Sequence, residues 1–370
     1  MQRRQFLGLA ALSIFGSALA TDELLKQSQA SSATKHLYSA NDNLLGQHFL
    51  SRFDLGSGQL QQQKVPIRGH ATLALNQDIA LLFGRRPAFE CVKVDFNKQT
   101  TASFKAAPNH HFNGHGCLSA DHKLLFTTET DYANKRGMIG IRELSTLKQM
   151  GEYQTYGLDP HDLQLLPDGK TLVIANGGIE THPDFGRRKL NLETMQPSLV
   201  YVDIATGQKL AEYRLPDRLL SIRHLTVTAK GEVAVALQYE GDLYQQQPSS
   251  LVAWQPVGGE LKLLQIAPTA VAQLRGYLAD IVYDPVQQLL VSATPRGHCV
   301  SVWSTATERF VQAYPLAEAS GVSLGTTTGS FLVSTGQGGL YQFEPDVPTA
   351  QLRALNQFAE LVWDNHLLLS

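Results

Sequence analysis

A unit of roughly 45 residues recurs along this chain, and a repeat of that length limits the fold more tightly than any single segment does. Its opening strand reads Arg68-Gly69-His70-Ala71-Thr72-Leu73, Asn113-Gly114-His115-Gly116-Cys117-Leu118, Asp159-Pro160-His161-Asp162-Leu163 and Ile222-Arg223-His224-Leu225-Thr226-Val227. Weaker copies follow at Arg275-Gly276-Tyr277, Ser320-Gly321-Val322 and Phe358-Ala359-Glu360. Each opening leads through a turn, such as Pro167-Asp168-Gly169-Lys170, into a strongly apolar second strand such as 171–175. A third strand alternates in the manner of a half-buried edge, as in 138–144 and 198–203, and a polar fourth strand completes the unit. No stretch shows a convincing helical period.

Four antiparallel strands recurring at this interval predict an all-β, seven-bladed β-propeller, WD40- or YVTN-like, spanning 36–370 as one domain. Only ten residues follow Glu360, so the last blade must be closed by strands from both termini, with 36–41, 48–55 and 59–65 supplying the missing members. Such closure removes the open sheet edges that invite aggregation. Both 36–41 and 366–370 resemble the second strand of that blade, and the sequence leaves their pairing open.

Residues 1–20 have the form of a removable export signal: a cationic start at Arg3-Arg4, an apolar stretch from Phe6 to Ala20, and the small-residue end Ala18-Leu19-Ala20. Arg3-Arg4-Gln5-Phe6-Leu7 resembles the twin-arginine motif, which predicts a periplasmic protein exported already folded, after a polar leader over 21–35. No later run reaches membrane length, so no stable membrane insertion is expected after cleavage. The formal net charge of -2 becomes about -4 once Arg3 and Arg4 leave with the signal, which gives no basic footprint for nucleic acid. Three cysteines, Cys91, Cys117 and Cys299, match no zinc or haem spacing and read as small buried strand residues.

In a propeller the first strand of each blade lies innermost, so equivalent openings form an arc at one mouth of the channel. His70, His115, His161 and His224 are therefore expected to converge there. The loops between second and third strands share that face and bring Glu129, Asp131 and Tyr132, then Asn176, Glu180 and His182, then Glu240. The long loop from Asn176 to Pro197 exceeds what a turn needs. Imidazoles, His182 among them, with carboxylates nearby suit iron, copper or zinc. Arg68, Arg223 and Arg275 lie at or beside the same position and could instead clamp an anion through paired hydrogen bonds. A structural role competes with both: in WD-type propellers a Gly-His pair at this point bonds within its own blade. Nucleophile-elbow, zinc-helix, phosphate-loop and dinucleotide motifs are absent from the sequence.

His111-Phe112-Asn113-Gly114-His115-Gly116, Asp159-Pro160-His161-Asp162, Ala175-Asn176-Gly177-Gly178-Ile179-Glu180-Thr181-His182-Pro183, Lys189-Leu190-Asn191-Leu192 and Leu220-Ser221-Ile222-Arg223-His224-Leu225 resemble a family of twin-arginine-exported bacterial propellers classed as a domain of unknown function. That resemblance implies a link to periplasmic iron handling and an imelysin-type, iron-regulated protein as partner. It brings no catalytic residue. Three functions stay open: a non-enzymatic propeller binding iron or copper, a metal-dependent oxidoreductase or lactonase-like hydrolase, and a protein-interaction scaffold.

Overall fold

The computed structural model describes residues 35–345 and 350–370. The expected signal over 1–20 and the leader up to residue 34 lie outside the described residues. Seven antiparallel sheets make the expected seven-bladed propeller. Six are continuous in sequence: β4 (Gly69–Ala74) to β7 (Thr100–Lys105), β8 (His110–Leu118) to β11 (Gln149–Gln154), β12 (Pro160–Leu165) to β15 (Lys209–Tyr213), β16 (Leu220–Val227) to β19 (Lys262–Leu263), β20 (Asp280–Asp284) to β23 (Arg309–Pro315), and β24 (Ala319–Leu324) to β27 (Gln351–Gln357). The seventh joins β1 (His36–Asn43), β2 (His48–Asp54) and β3 (Leu60–Val65) to β28 (Leu361–Trp363) and β29 (Leu368–Leu369).

The pairing in this closing blade settles the question left by the sequence. β1 is the second strand, and both C-terminal strands lie on its inner side, with Asn41 opposite Trp363 and Leu37 opposite Leu369. Between them the chain bulges, because four residues on the inner strand, 364–367, face two on β1, Ser39 and Ala40. The bulge is pinned by the Asp364 amide on the Ala40 carbonyl (2.9 Å) and the Ser39 hydroxyl on the His366 carbonyl (2.6 Å).

The second strands are buried on both faces, which explains their unbroken apolar runs: 80–83, 172–175 and 233–237 are all buried. Cores form between neighbouring blades, as where Tyr38 and Leu50 of the closing blade meet Ala80, Leu82 and Val92 of the next. The third strands are not half-buried edges. In β10 (Arg136–Glu143) every residue but the two ends is buried, since the fourth strand takes the edge and adjacent blades cover both faces. Asp54, Asp95 and Asp203 end third strands and accept two following backbone N–H groups each, the turn device that separates third from fourth strands.

The fifth blade also departs from expectation. A short helix, α1 (Pro268–Gln273), precedes it with proline in its first turn and buries Val271 against the neighbouring core. This insertion displaces Arg275-Gly276-Tyr277 from the opening position, so the innermost strand begins at Asp280. Cys91, Cys117 and Cys299 lie on strands as unpaired thiols; Cys91 and Cys299 are buried as expected, while Cys117 is only partly buried.

Candidate functional site

The innermost strands share one irregularity. β4, β8, β12, β16 and β24 each slip register against their second strand, between Gly69 and Thr72, Phe112 and Gly116, Pro160 and Asp162, Ile222 and His224, and Ala319 and Val322. A bulge re-aims the side chain it carries, and the histidines sit in or at the edge of these bulges. His70, His115, His161 and His224 come together with a fifth, His366, from the bulge of the closing blade. Ring centroids lie 4.5 Å apart for His70–His366 and His224–His366, 4.6 Å for His161–His224, 4.7 Å for His115–His366 and 5.0 Å for His70–His115. The two remaining blades contribute Asp280 and Gly321. Packing is tight at two glycines. Gly114 has φ +110° and a Cβ there would lie 2.6 Å from the His70 ring, while a Cβ on Gly321 would lie 2.8 Å from the His366 backbone.

The partners of these imidazoles come from other blades, which sets them apart from histidines bonded within their own sheet. Asp364 Oδ1 lies 2.9 Å from His70 Nδ1, Asp162 Oδ1 lies 3.1 Å from His115 Nδ1, and Asp280 Oδ1 lies 3.2 Å from His366 Nδ1. A carboxylate on one ring nitrogen fixes the tautomer and leaves the other as a lone-pair donor. That other nitrogen of His115 is buried without a hydrogen-bond partner, and so are both nitrogens of His224. His70 Nε2 and His366 Nε2 face each other at 3.3 Å. Three sets of three donor atoms fall within 4.8 Å of one another: His70, His115 and His161; His70, His224 and His366; His115, Asp162 and His224.

Burial lowers the pKa of His70, His161 and His224, and the charge on neighbouring histidines lowers it further. For His366, burial works in the same direction but the Asp280 carboxylate outweighs it and raises the pKa. Burial would raise Asp364, yet its bond to His70 and the Arg85 guanidinium hold it well below the usual carboxylate range. Without a metal, His70, His161 and His224 are thus held toward the neutral form, and His366 is the favoured seat for a proton.

The cluster divides the channel. On the face of the strand openings, His70 and His161 close the floor of a cavity of about 40 Å³, walled by Arg85, Arg86, Arg187 and Arg223 with Asn113, Gln238, Tyr277 and Asn365. On the opposite face His115 and His366 end a wider funnel of about 350 Å³ that also exposes Asp162 and Asp280. The imidazoles therefore sit at a waist between two mouths, not on a rim.

Other residues expected at the site lie elsewhere. Glu129 belongs to β9 (Leu124–Asp131), not to a loop. It is fully buried against Arg142 at 2.5 Å, because the strand runs on through Thr127-Thr128-Glu129-Thr130. Asp131 ends that strand and binds Asn134 and Arg136. Asn176 ends β13 (Thr171–Asn176) and bonds to Ser198 in its own blade and to the Thr155 carbonyl just after β11 of the preceding one. Glu180 pairs with Lys135 at 2.8 Å, and His182 packs on Tyr132 and caps the turn at 183–185, apart from the other histidines. Arg275 is exposed beside Arg296 and His298 in an outer groove. Arg68 is half-exposed and reaches Asp42 and Asp364, Arg223 walls the cavity, and buried Glu240 sits behind it at 3.6 Å. His366, Asp364, Asp280, Arg85, Arg86 and Arg187 were not singled out from the sequence. The signal for His366 was the sevenfold repeat itself, which asks the closing blade for its own residue at the axis.

No curated protein matches the chain. Among solved structures it is similar to a chain of Kuenenia stuttgartiensis hydrazine synthase, with TM-score 0.60 and 14% identity over 84% of this chain and 90% of that one. A chain from the mitotic checkpoint complex gives TM-score 0.54 and 8% identity over 74% and 73%. At these identities the likeness is one of fold. A family described as a protein of unknown function, DUF1513, matches residues 63–370, and with so much of its length covered the chain belongs to that family.

Proposed function

We propose that this propeller holds one transition-metal ion, iron or copper, at its axis, and serves metal handling in the periplasm, not turnover. His70, His115, His224 and His366 are the ligands, with His161 beside them. One observation carries this reading: histidines backed by carboxylates from other blades set their donor atoms in three overlapping triples at the axis, and buried ring nitrogens of His115 and His224 there have no protein partner. The spacing fits as well. With metal–nitrogen bonds of about 2.0–2.1 Å, the edge of a tetrahedral site is about 3.3–3.4 Å, and His70 Nε2 and His366 Nε2 are 3.3 Å apart. The donor set is imidazole with carboxylate and no thiolate, a set that suits iron, copper or zinc.

The twin-arginine signature supports export in folded form, which lets the metal be loaded before export. An imelysin-type iron-regulated protein is the partner suggested by the family resemblance. Elemental analysis of protein purified after export by its native route tests the reading. One equivalent of iron or copper is expected, falling below a tenth in His115→Ala with His366→Ala. Protein with no transition metal, or with uptake unchanged by that pair, contradicts it. The cavity against the histidines favours a second reading, a metal-dependent enzyme, which metal-dependent turnover of a small substrate would support.

A further inference from the structure

The wall of the axial cavity is chemically one-sided. Four of its ten lining residues are arginines, Arg85, Arg86, Arg187 and Arg223, and none is an acid. The balancing carboxylates stand behind them, each shared between two cations: Asp364 with Arg68 and Arg85, Asp159 with Arg86 and Arg223, Glu240 with Lys189 and Arg223. Arg187, from the long loop between the second and third strands of its blade, engages no hydrogen bond or ion pair among the described residues. Arg187 is an exposed residue at the cavity wall, and partial desolvation there together with the charges of Arg85, Arg86, Arg68 and Arg223 works against its protonated form. The Nε groups of Arg85 and Arg223 are buried and lack acceptors. A buried N–H without an acceptor is costly, so the protein keeps donors here that it does not itself use.

The loop that carries Arg187 is held in place. Asn191 accepts from the Glu180 amide (2.6 Å) and donates to the Gly178 carbonyl (2.9 Å), and Lys189 is anchored on Glu240. Planar guanidinium forks match the oxygens of carboxylate and phosphate groups. The space, about 40 Å³, takes about three or four water-sized groups at roughly 10–15 Å³ each.

We propose that this chamber binds a small oxyanion, presenting two or more acceptor oxygens to Arg86, Arg187 and Arg223 directly above the histidine cluster. A phosphate or a short carboxylate has this chemistry, and anything of nucleotide size is too large. The site does not depend on the metal, since its donors are complete without one.

The test is calorimetric titration of the metal-free mature protein with inorganic phosphate and, separately, with oxalate. Saturable binding of at least one probe is expected, and the stronger of the two identifies the oxyanion class. Arg187→Gln should weaken that binding at least tenfold while leaving metal content unchanged, because Arg187 pairs with no acid that the change would strand. His115→Ala with His366→Ala should keep anion binding while losing the metal, which separates failure of one site from failure of the other. Absence of binding by both probes, or equal affinity in Arg187→Gln, overturns the proposal.

Discussion

His70 and His366 lie 296 residues apart in sequence, yet their Nε2 atoms stand 3.3 Å apart at the axis. Each ring has a carboxylate on its Nδ1, Asp364 for His70 and Asp280 for His366. If both rings are neutral with Nδ1 donating, two lone pairs face each other. Protonation of one ring, or a metal ion held by both, relieves that repulsion.

Asp280 tests the orienting role of the acids. One of its oxygens meets His366 Nδ1, while the other accepts from the Val322 amide of the next blade (2.9 Å). Asp280→Asn keeps an acceptor for the amide and removes the charge from the histidine. Metal affinity should fall about 10–100-fold, the usual cost of losing a carboxylate behind a ligating histidine, as measured by competition with a chelator. An unchanged affinity would show that His366 is not a ligand.

Glu129 and Arg142 make a fully buried ion pair far from this role. Removing one partner strands the other charge, so Glu129→Gln should destabilise the protein by about 3–5 kcal/mol in denaturant titrations. Metal bound per folded molecule should stay the same. A loss of metal without a loss of stability would return Glu129 to the site.

The histidine cluster gives the metal-free protein a pH dependence of known sign. His70, His161 and His224 have lowered pKa values, so the unfolded chain takes up protons first as pH drops. Their contribution is present above the unfolded value of 6.5 and is lost as pH falls through their folded values. His366 has the opposite sign: its raised pKa contributes fully below 6.5 and is lost as pH rises through the folded value. Melting temperature should therefore fall between about pH 7 and pH 5, and His366→Gln should remove the decline on the alkaline side. A metal-free melting temperature that rises on acidification would contradict the assignment.

Metal should raise thermal stability by linkage. At a hundredfold excess over the dissociation constant, one site adds about 2.7 kcal/mol. The melting temperature should rise by a few degrees on metal addition and return on chelation, with no change in His115→Ala with His366→Ala. Equal shifts in that double variant would place the binding elsewhere.

The propeller and four of its axial histidines were legible because the repeat carries both. Alternation, turn residues and the Gly-His or Arg-His openings recur at one interval, and ring closure does the rest. The fifth histidine was hidden because the bulge at 364–367 carries His366 past the copy at Phe358-Ala359-Glu360, so its equivalence shows only in the pairing with β1. Asp280 was obscured by α1, which shifts the fifth opening. Glu129 misled for another reason: a polar Thr-Thr-Glu-Thr run looks like a loop, and only three dimensions reveal that Arg142 on the neighbouring strand neutralises it. The arginine chamber draws Arg85 and Arg86 from just after β5 (Ile79–Gly84) and Arg187 from the long loop, positions with no shared motif.

X-ray absorption at the iron and copper edges, on protein exported and purified by its native route, tests the central claim most directly. The account predicts an edge for one of these metals and a first shell of three or four imidazole nitrogens at about 2.0–2.1 Å, lost in the His115→Ala and His366→Ala double variant. Absence of both edges, or a first shell of oxygen or sulfur that the double variant leaves intact, would contradict it.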